Sequence, residues 1–314
     1  MRGPDIERYQ NAIRWTLFAW LVVLIVTLRL SGMTLAFAEI RTEVSICSGI
    51  LLGGMLYRPG RWPVLDKGVV FVESAALFAS VALLGHIQSY VVAASTSGYI
   101  DRSLIGFDRI TELDWLSYWT FCHAHPLILS ALDRCYHSLG FSPLALFAVL
   151  SARGRSAACY RFVLVFAVAL AATDLIFLFT PAKSAAVQYL GMHAPNLPRA
   201  GVDHIPVIEQ LRAGRMRVIH LATSTGLIAF PSFHAALAVI FCWASRETGI
   251  VRPLIVVPNV VMLLATPIQG GHYFAEVVAG LLVALSAIGV VDRVFRRAPV
   301  VMESEPGLLA TTWR

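Results

Sequence analysis

The sequence predicts an all-α integral membrane protein with about eight transmembrane helices. Apolar residues make up 57% of the 314 residues and charged residues only 14%, whereas a soluble domain has roughly 45–50% and about 25%. The mean hydropathy is +0.71. This composition excludes an ordinary soluble globule, a disordered tail and a nucleic-acid-binding protein. The net charge of +6 comes largely from arginines between apolar runs, the pattern that orients a membrane protein.

The transmembrane helices are predicted from runs of apolar residues, because a helix needs about 20 such residues to cross the hydrocarbon. The candidate segments are 15–31, 43–57, 69–94, 138–151, 160–180, 226–246, 252–268 and 273–292. The second and fourth are short. The fourth could begin earlier, near Pro126, although Asp133 and Arg134 would then lie in the membrane. The first is not followed by a cleavage site and a soluble domain, which favours a transmembrane helix over a signal peptide.

The orientation is predicted from the basic residues, which cluster in every second connection. These residues are Arg58, Arg61, Lys67, Arg153, Arg155, Arg161, Arg246, Arg252, Arg293, Arg296 and Arg297. The positive-inside rule assigns these connections and both termini to the cytoplasm. The long connections 95–137 and 181–225 then face outward, and only an even number of segments fits. We expect the tail 298–314 to be cytoplasmic and disordered.

Other aromatic and polar residues suggest structural roles. Trp115, Tyr118 and Trp119 predict an interfacial helix, either an aromatic belt or a lid that faces substrate. Glu73 and His86 lie near opposite ends of segment three and are expected to be structural. We expect His193, His204 and His220 to be solvated or interfacial, Cys122 and Cys135 to be reachable from outside, and Cys47 and Cys159 to lie near the cytoplasmic half. No cysteine forms a CxxC pair, and His123 and His125 are poorly spaced for a metal, so no metal site is predicted.

The start of segment six carries the first candidate for chemistry. Residues 230–235 read Phe-Pro-Ser-Phe-His-Ala. Pro231 suits the first turn of a helix, and Ser232 can cap it. The free N–H groups of that end favour an anion. His234 is ionisable inside an apolar segment, which makes it a functional candidate.

The start of segment eight carries the second candidate. Residues 270–276 read Gly-Gly-His-Tyr-Phe-Ala-Glu. His272 and Glu276 are four residues apart and share one helix face, so the carboxylate can accept the Nδ1 proton and leave the Nε2 lone pair free as a nucleophile or base. Segments six and eight both begin on the outer side, which predicts that His234 and His272 lie at similar depth.

These two motifs resemble the signatures of the type 2 phosphatidic acid phosphatase superfamily, whose second signature is Pro-Ser-Gly/Phe-His and whose third ends in His-x-x-x-Asp. The branch with inositol phosphorylceramide synthases is the most similar in its Phe-Pro-Ser-Phe-His-Ala and Gly-Gly-His-Tyr motifs. The resemblance covers roughly 160–292. It implies N-terminal helices and an outer loop over 1–110 and a phosphatase- or phosphotransferase-like helical core over 111–297.

By this resemblance, His272 attacks phosphorus, Glu276 orients its ring, and His234 protonates the leaving alkoxide and then activates the acceptor. Glu276 stands where Asp is usual, and the first signature, a Lys followed by Arg-Pro, is not recognisable. Phosphate needs cationic donors, for which we favour Arg217, then Arg212, with Lys183, Ser232 and Gly271. Asp174 could pair with a cation or contact a polyol acceptor. Neither a metal nor another cofactor is implied.

The resemblance implies a lipid phosphatase if water is the acceptor and a phosphotransferase if an alcohol is. We expect a membrane lipid substrate, a site on the extracytoplasmic side of a plasma membrane of bacterial type, and no nucleic-acid partner. Two alternatives stay open: a lipid transporter, and a member of the superfamily that binds lipid without turnover.

Overall fold

The computed structural model describes residues 4–57, 60 and 62–295. Within these residues the regular secondary structure is almost entirely helical. The helices are α1 (Pro4–Ser31), α2 (Arg41–Leu56), α3 (Pro63–Ser95), α4 (Asp101–Ile110), α5 (Trp115–Ala124), α6 (Pro126–His137), α7 (Ser142–Ala152), α8 (Ser156–Phe177), α9 (Ala185–Leu190), α10 (His204–Arg212), α11 (Phe233–Ala244), α12 (Arg252–Gln269) and α13 (Phe274–Phe295). Two short strands, β1 (Thr34–Leu35) and β2 (Val218–Ile219), pair in parallel. Arg58, Arg61, Arg296, Arg297 and the predicted tail 298–314 lie outside the described residues.

The prediction of an all-α membrane protein is confirmed, whereas the count of eight spans is not. Over the described ranges, five helices are long and apolar enough to cross a membrane: α1, α3, α8, α12 with the turn before it, and α13. The bent pair α6 and α7, with an angle of 62° between them, adds a sixth if it forms one span. Each predicted segment contains a helix, but α2 has 16 residues and α11 only 12.

The sixth predicted segment is shorter than expected because its first residues are not helical. The prediction began at residue 226, whereas α11 begins at Phe233. Pro231 disfavours the helical conformation in the residue before it, and Ser232 has an extended conformation as the N-cap. Residues 226–232 therefore form an irregular approach to the helix.

Contacts between distant connections divide the helix ends into two groups. One group contains the start of α1, the end of α13 and most of the predicted cytoplasmic connections. Its contacts are Tyr9 stacked on Phe295 at 4.5 Å, Lys67 Nζ donating to the Ala152 carbonyl at 2.8 Å, and the ion pairs Arg155–Glu247 and Arg161–Asp292. The start of α1 and the end of α13 therefore lie at the same end of the bundle, as an even number of membrane crossings requires.

The opposite end is built from the long connections 95–137 and 181–225. Trp115 is 1% exposed, and its indole N–H donates to the Pro267 carbonyl at 3.1 Å. The ring of Trp115 is thus buried where α5 packs against α12, and the interfacial helix, as an aromatic belt or a lid, stays a prediction. Cys122 is fully buried and does not fit the expectation that it is reachable from outside.

Helix α8 lies at the centre of the bundle and contacts α1, α3, α11 and α13. Near one end of α8, Glu73 of α3 is 1% exposed and accepts hydrogen bonds from Gln10, Arg14 and Tyr160. A carboxylate in an apolar interior needs such donors. This network fits the structural role expected for Glu73 and joins three helices.

Helices α11 and α13 approach each other at Gly280. A Cβ at this position would collide with the backbone carbonyl of Ser232 and would lie 3.2 Å from the amide nitrogen of Ala236. Small residues let membrane helices pack at this kind of backbone distance. Gly289 lies further along α13, where a Cβ would meet nothing within 4 Å.

We predict that Gly280→Ala destabilises the protein and that Gly289→Ala does not. The added methyl group at position 280 meets backbone, which cannot rotate away, and overpacking of this kind costs roughly 1–3 kcal/mol. Thermal unfolding of the purified variants in detergent measures the difference. Equal melting temperatures for the two variants would contradict the close approach of α11 and α13.

Candidate active site

The candidate nucleophile lies immediately before α13. His272 Nδ1 is 2.7 Å from Glu276 Oε2, and the backbone N–H of Tyr273 donates to the same oxygen at 3.0 Å. Because that oxygen already accepts a hydrogen bond from the Tyr273 N–H, we infer that Nδ1 carries the proton of the neutral ring. His272 also has a hydrogen bond with the backbone of Ala229. His272 is 6% exposed and Glu276 is fully buried. Burial lowers the pKa of His272 to about 4, so the ring is neutral at neutral pH.

Two glycines before His272 provide the space for its ring. A Cβ at Gly270 would collide with His272 Cδ2 and lie 2.9 Å from Nε2. Gly271 has a φ of 65°, which L side chains rarely adopt. A Cβ there would lie 2.6 Å from Ser184 Oγ and 3.1 Å from the Gly201 Cα. Gly271 therefore allows its backbone to lie close to Ser184 and Gly201.

The second histidine, His234, lies in the first turn of α11. Ser232 caps this helix through the N–H of Ala235, and its own N–H donates to the Glu276 carbonyl at 3.0 Å. This hydrogen bond joins the start of α11 to the first turn of α13. The imidazoles of His234 and His272 interact electrostatically with each other. The structure thus brings together the two histidines that the motifs singled out.

Helix α6 covers His234, a contact that the motifs did not indicate. The Tyr136 ring stacks on the imidazole with centroids 4.3 Å apart, and its hydroxyl is 3.5 Å from His234 Nδ1. Tyr136 is 6% exposed. Tyr136 therefore covers one face of the His234 ring.

Two carboxylates of α4 organise the start of α13. Asp108 accepts hydrogen bonds from the N–H groups of Phe274 and Ala275 at 3.1 and 2.9 Å, so it caps α13 from a distant part of the chain. Burial raises the pKa of Asp108, and these two donors oppose the rise. Asp101 accepts from the Tyr273 hydroxyl at 2.9 Å. No local sequence signal marked either residue, because both partners are more than 160 residues away.

The segment after α8 forms another wall beside Gly271. Ser184 donates its hydroxyl to the Gly271 carbonyl at 2.9 Å. His204 Nε2 lies 2.6 Å from the Lys183 carbonyl, and His204 interacts electrostatically with His272. Burial lowers the pKa of His204. The expectation that His204 is solvated or interfacial is wrong: the side chain is 3% exposed because α10 packs it under this segment.

The predicted phosphate-binding cations occupy two places. Lys183 Nζ and Arg212 Cζ lie 5.0 and 4.4 Å from the centroid of the Tyr99 ring, so the two cations share one aromatic ring. Arg217 instead donates to the Ser31 carbonyl at 2.8 Å, at the end of α1. The basic residue that the sequence favoured first is thus turned toward α1, and Lys183 is the one whose backbone adjoins the histidine segment.

Asp174 lies elsewhere in the bundle. Its side chain is 4% exposed and lines a cavity between α1, α3 and α8. The face of α8 that packs on α11 is a different one, where Phe166 meets Phe233 and Phe162 meets Phe241. Within the described residues, no group of three or more His, Cys, Asp or Glu side chains could hold a metal ion.

Comparison with known families assigns the chain to a superfamily. The family model of the PAP2 superfamily matches residues 102–290, more than half of the chain. The chain belongs to the PAP2 superfamily. The matched region contains His234, His272 and Glu276, and it begins earlier than the roughly 160–292 that the motifs indicated. No curated protein and no solved structure matches this PAP2 chain significantly.

We predict that Asp108→Ala frees the first turn of α13, whereas Asp114→Ala does not. Asp114 is a matched control because it caps α5 through the N–H groups of Leu116 and Ser117. Loss of a cap costs about 1 kcal/mol, or roughly a fivefold gain in exchange rate. Hydrogen exchange read by mass spectrometry should show faster exchange over 274–276 for Asp108→Ala only. Unchanged exchange in that peptide would contradict the capping role.

Proposed function

We propose that this PAP2 protein is a membrane lipid phosphatase or phosphotransferase that acts on a phosphorylated lipid or lipid head group through a phosphohistidine intermediate. Membership of the superfamily supports a phosphatase-type, lipid-related function. The observation that carries the finer proposal is the 2.7 Å hydrogen bond between His272 Nδ1 and Glu276. It supports a buried, neutral imidazole with its proton on Nδ1, which is the form that an attack of Nε2 on phosphorus requires.

The proposed reaction has two steps. In the first, His272 Nε2 attacks phosphorus, the bond from phosphorus to the leaving oxygen breaks, and His234, in its protonated form, donates a proton to that oxygen. Glu276 stabilises the positive charge that develops on the His272 ring. In the second, neutral His234 takes a proton from the acceptor hydroxyl, whose oxygen attacks phosphorus and releases His272. Each histidine returns to its starting state.

We infer that Lys183 and Arg212 supply positive charge to the phosphate. Both cations lie on the Tyr99 ring, and the backbone of Lys183 adjoins the Gly271 segment through His204 and Ser184. The N–H groups at the start of α11 add a favourable dipole for an anion. Arg217 and Ser232 are weaker candidates. The bond to Ser31 turns Arg217 toward α1, whereas the bonds of Arg212 to Thr96 and Gly98 keep it beside Lys183, and Ser232 caps α11.

The molecule that accepts the group from His272 determines which of two reactions takes place. Water gives hydrolysis and release of phosphate, whereas a second alcohol gives head-group transfer, as the resemblance to inositol phosphorylceramide synthases implies. An assay with phosphatidic acid, a prenyl diphosphate, and ceramide plus phosphatidylinositol separates them. Binding of these lipids without turnover would favour the alternative of a superfamily member that binds lipid but does not catalyse. Glu276, which stands where Asp is usual, is the reason for considering this alternative. Transport without chemistry is the other alternative.

We predict that His272→Ala abolishes both turnover and phosphoenzyme, whereas His234→Ala lowers turnover by about 10²–10⁴-fold, the usual contribution of a general acid. A radiolabelled phosphatidic acid and a denaturing quench measure the phosphoenzyme. His220→Ala is the control, because His220 is an exposed histidine paired with Glu39. Normal turnover in His272→Ala would end the phosphohistidine proposal.

The same assay tests Glu276. Its replacement by Gln keeps the size of the side chain and removes the charge that orients and stabilises the ring, so turnover should fall on the order of 10²–10⁴-fold with little change in folding. Glu276→Asp should be tolerated only in part, because the shorter side chain does not reach Nδ1 from the same backbone. Full activity in Glu276→Gln would make this carboxylate structural.

We further propose that the site faces the extracytoplasmic side of a plasma membrane and that both termini are cytoplasmic. The support is the alternation of arginines together with the shared end of α1 and α13. In intact cells, an impermeant thiol reagent should label His193→Cys, an exposed position in the 181–225 connection, and spare Arg153→Cys. Both changes are made in a cysteine-free chain. Labelling of Arg153→Cys alone would reverse the orientation.

A further inference from the structure

A cavity of about 780 Å³ opens between α1, α3 and α8, in the halves of these helices nearest the active-site end. Residues from 16–31 of α1, 88–95 of α3 and 171–178 of α8 line it. Its volume falls within the roughly 300–1,000 Å³ of small-molecule sites. The lining is mostly apolar, but it contains a small group of polar side chains that the proposed reaction does not use.

The polar group of this cavity presents hydrogen-bond acceptors that have no donor. Both carboxyl oxygens of Asp174 and the side-chain carbonyl oxygen of Gln88 are buried and lack a hydrogen-bond partner within the described part of the chain. The Gln88 amide N–H donates to Thr27 Oγ1 at 3.4 Å. The hydroxyls of Thr27 and Ser31 donate to carbonyls of their own helix, so neither serves Asp174.

Such an arrangement is costly for the protein alone. A buried polar group without a partner costs roughly 1–3 kcal/mol by mutational measures, and carboxylates within membrane segments are mostly functional. Three acceptors around one cavity therefore call for a ligand that brings its own donors, such as hydroxyl, amide N–H or ammonium groups.

The order of groups along the cavity selects among these ligands. The acceptors lie toward the outer ends of α3 and α8, whereas the deeper lining from α1 is mostly apolar, with Ala19, Trp20 and Val23 beside the hydroxyl of Thr16. Arg217 donates to the carbonyl of Ser31, a residue of the lining, so a guanidinium lies at the outer end of the cavity. This positive charge offsets part of the attraction that the Asp174 carboxylate would have for an ammonium ligand. A neutral donor on an apolar chain fits best.

We propose that the cavity is a second lipid site, which binds a single lipid through hydroxyl or amide N–H donors bonded to Asp174 and Gln88, with its acyl chain along α1 beside Trp20. The site is distinct from the histidine site, because Asp174 lies on a different face of α8 from the phenylalanines that contact α11. It therefore goes beyond the proposed reaction and does not depend on it.

The test uses the full chain in nanodiscs of dioleoylphosphatidylcholine, whose head group has no hydrogen-bond donor. Dibrominated stearoyl glycerol, which has two free hydroxyls, is compared with the methyl ester of the same acid, which has none. Quenching of Trp20 fluorescence reports binding, after subtraction of the same titration on Trp20→Phe. The glycerol ester should reach half-quenching at a concentration roughly tenfold lower than the methyl ester does, as hydrogen bonds to a buried carboxylate imply.

Variants show whether the acceptors cause this preference. Asp174→Leu and Gln88→Leu should abolish or reduce it, and Asp174→Asn, which preserves shape, should reduce it even if Asp174→Leu does not fold. Thr173→Val is the matched control, because Thr173 Oγ1 is also buried without a partner within the described residues but does not line the cavity, and it should keep the preference. Equal quenching by the two lipids, no quenching of Trp20, or the same loss in Thr173→Val would overturn the proposal.

Discussion

The close approach of α11 and α13 is the constraint on which the candidate site depends. Gly280 lets the backbone of Ser232 contact α13, and the Ser232 N–H then bonds to the Glu276 carbonyl. This contact fixes the first turns of the two helices relative to each other. His234 lies in the first turn of α11 and His272 immediately before the first turn of α13, so their relative position follows from a backbone contact and not from any bond between the rings. A site defined by backbone contacts needs little further ordering when a substrate binds.

The remaining walls of the site come from segments outside the membrane spans. Asp108 of α4 caps α13, Asp101 holds the Tyr273 hydroxyl, and the segment with Lys183 and Ser184 rests on Gly271. A buried helix end with free N–H groups is unfavourable, and α13 obtains its cap from a residue 166 positions earlier in the chain. The outer helices are therefore structural parts of the site, which explains why the family match begins as early as residue 102.

Local chemistry could be predicted from the sequence, and long-range packing could not. The spacing of His272 and Glu276 predicted the hydrogen bond between them, but the expected shared helix face is wrong, because α13 begins at Phe274 and His272 precedes it. Apolar runs located every long helix, since length and composition are local properties. The burial of Trp115 and His204 depends on contacts with Pro267 and Lys183, which no local pattern encodes. The predicted count of eight is not confirmed, because α2 and α7 have only 16 and 11 residues and α11 begins at its cap, seven residues after the start of the apolar run.

The buried acceptor groups of this bundle are of two kinds, those that receive hydrogen bonds from the protein and those that do not. Glu73 is buried as deeply as Asp174, yet it receives hydrogen bonds from three side chains, and such saturation is what a purely structural carboxylate requires. Asp174 and Gln88 lie between the same three helices, where the nearby hydroxyls of Thr27 and Ser31 donate to their own backbone instead. Burial alone therefore does not distinguish a structural carboxylate from a binding one; the presence or absence of internal donors does. By that criterion Glu73 completes the fold, whereas Asp174 is completed by a ligand.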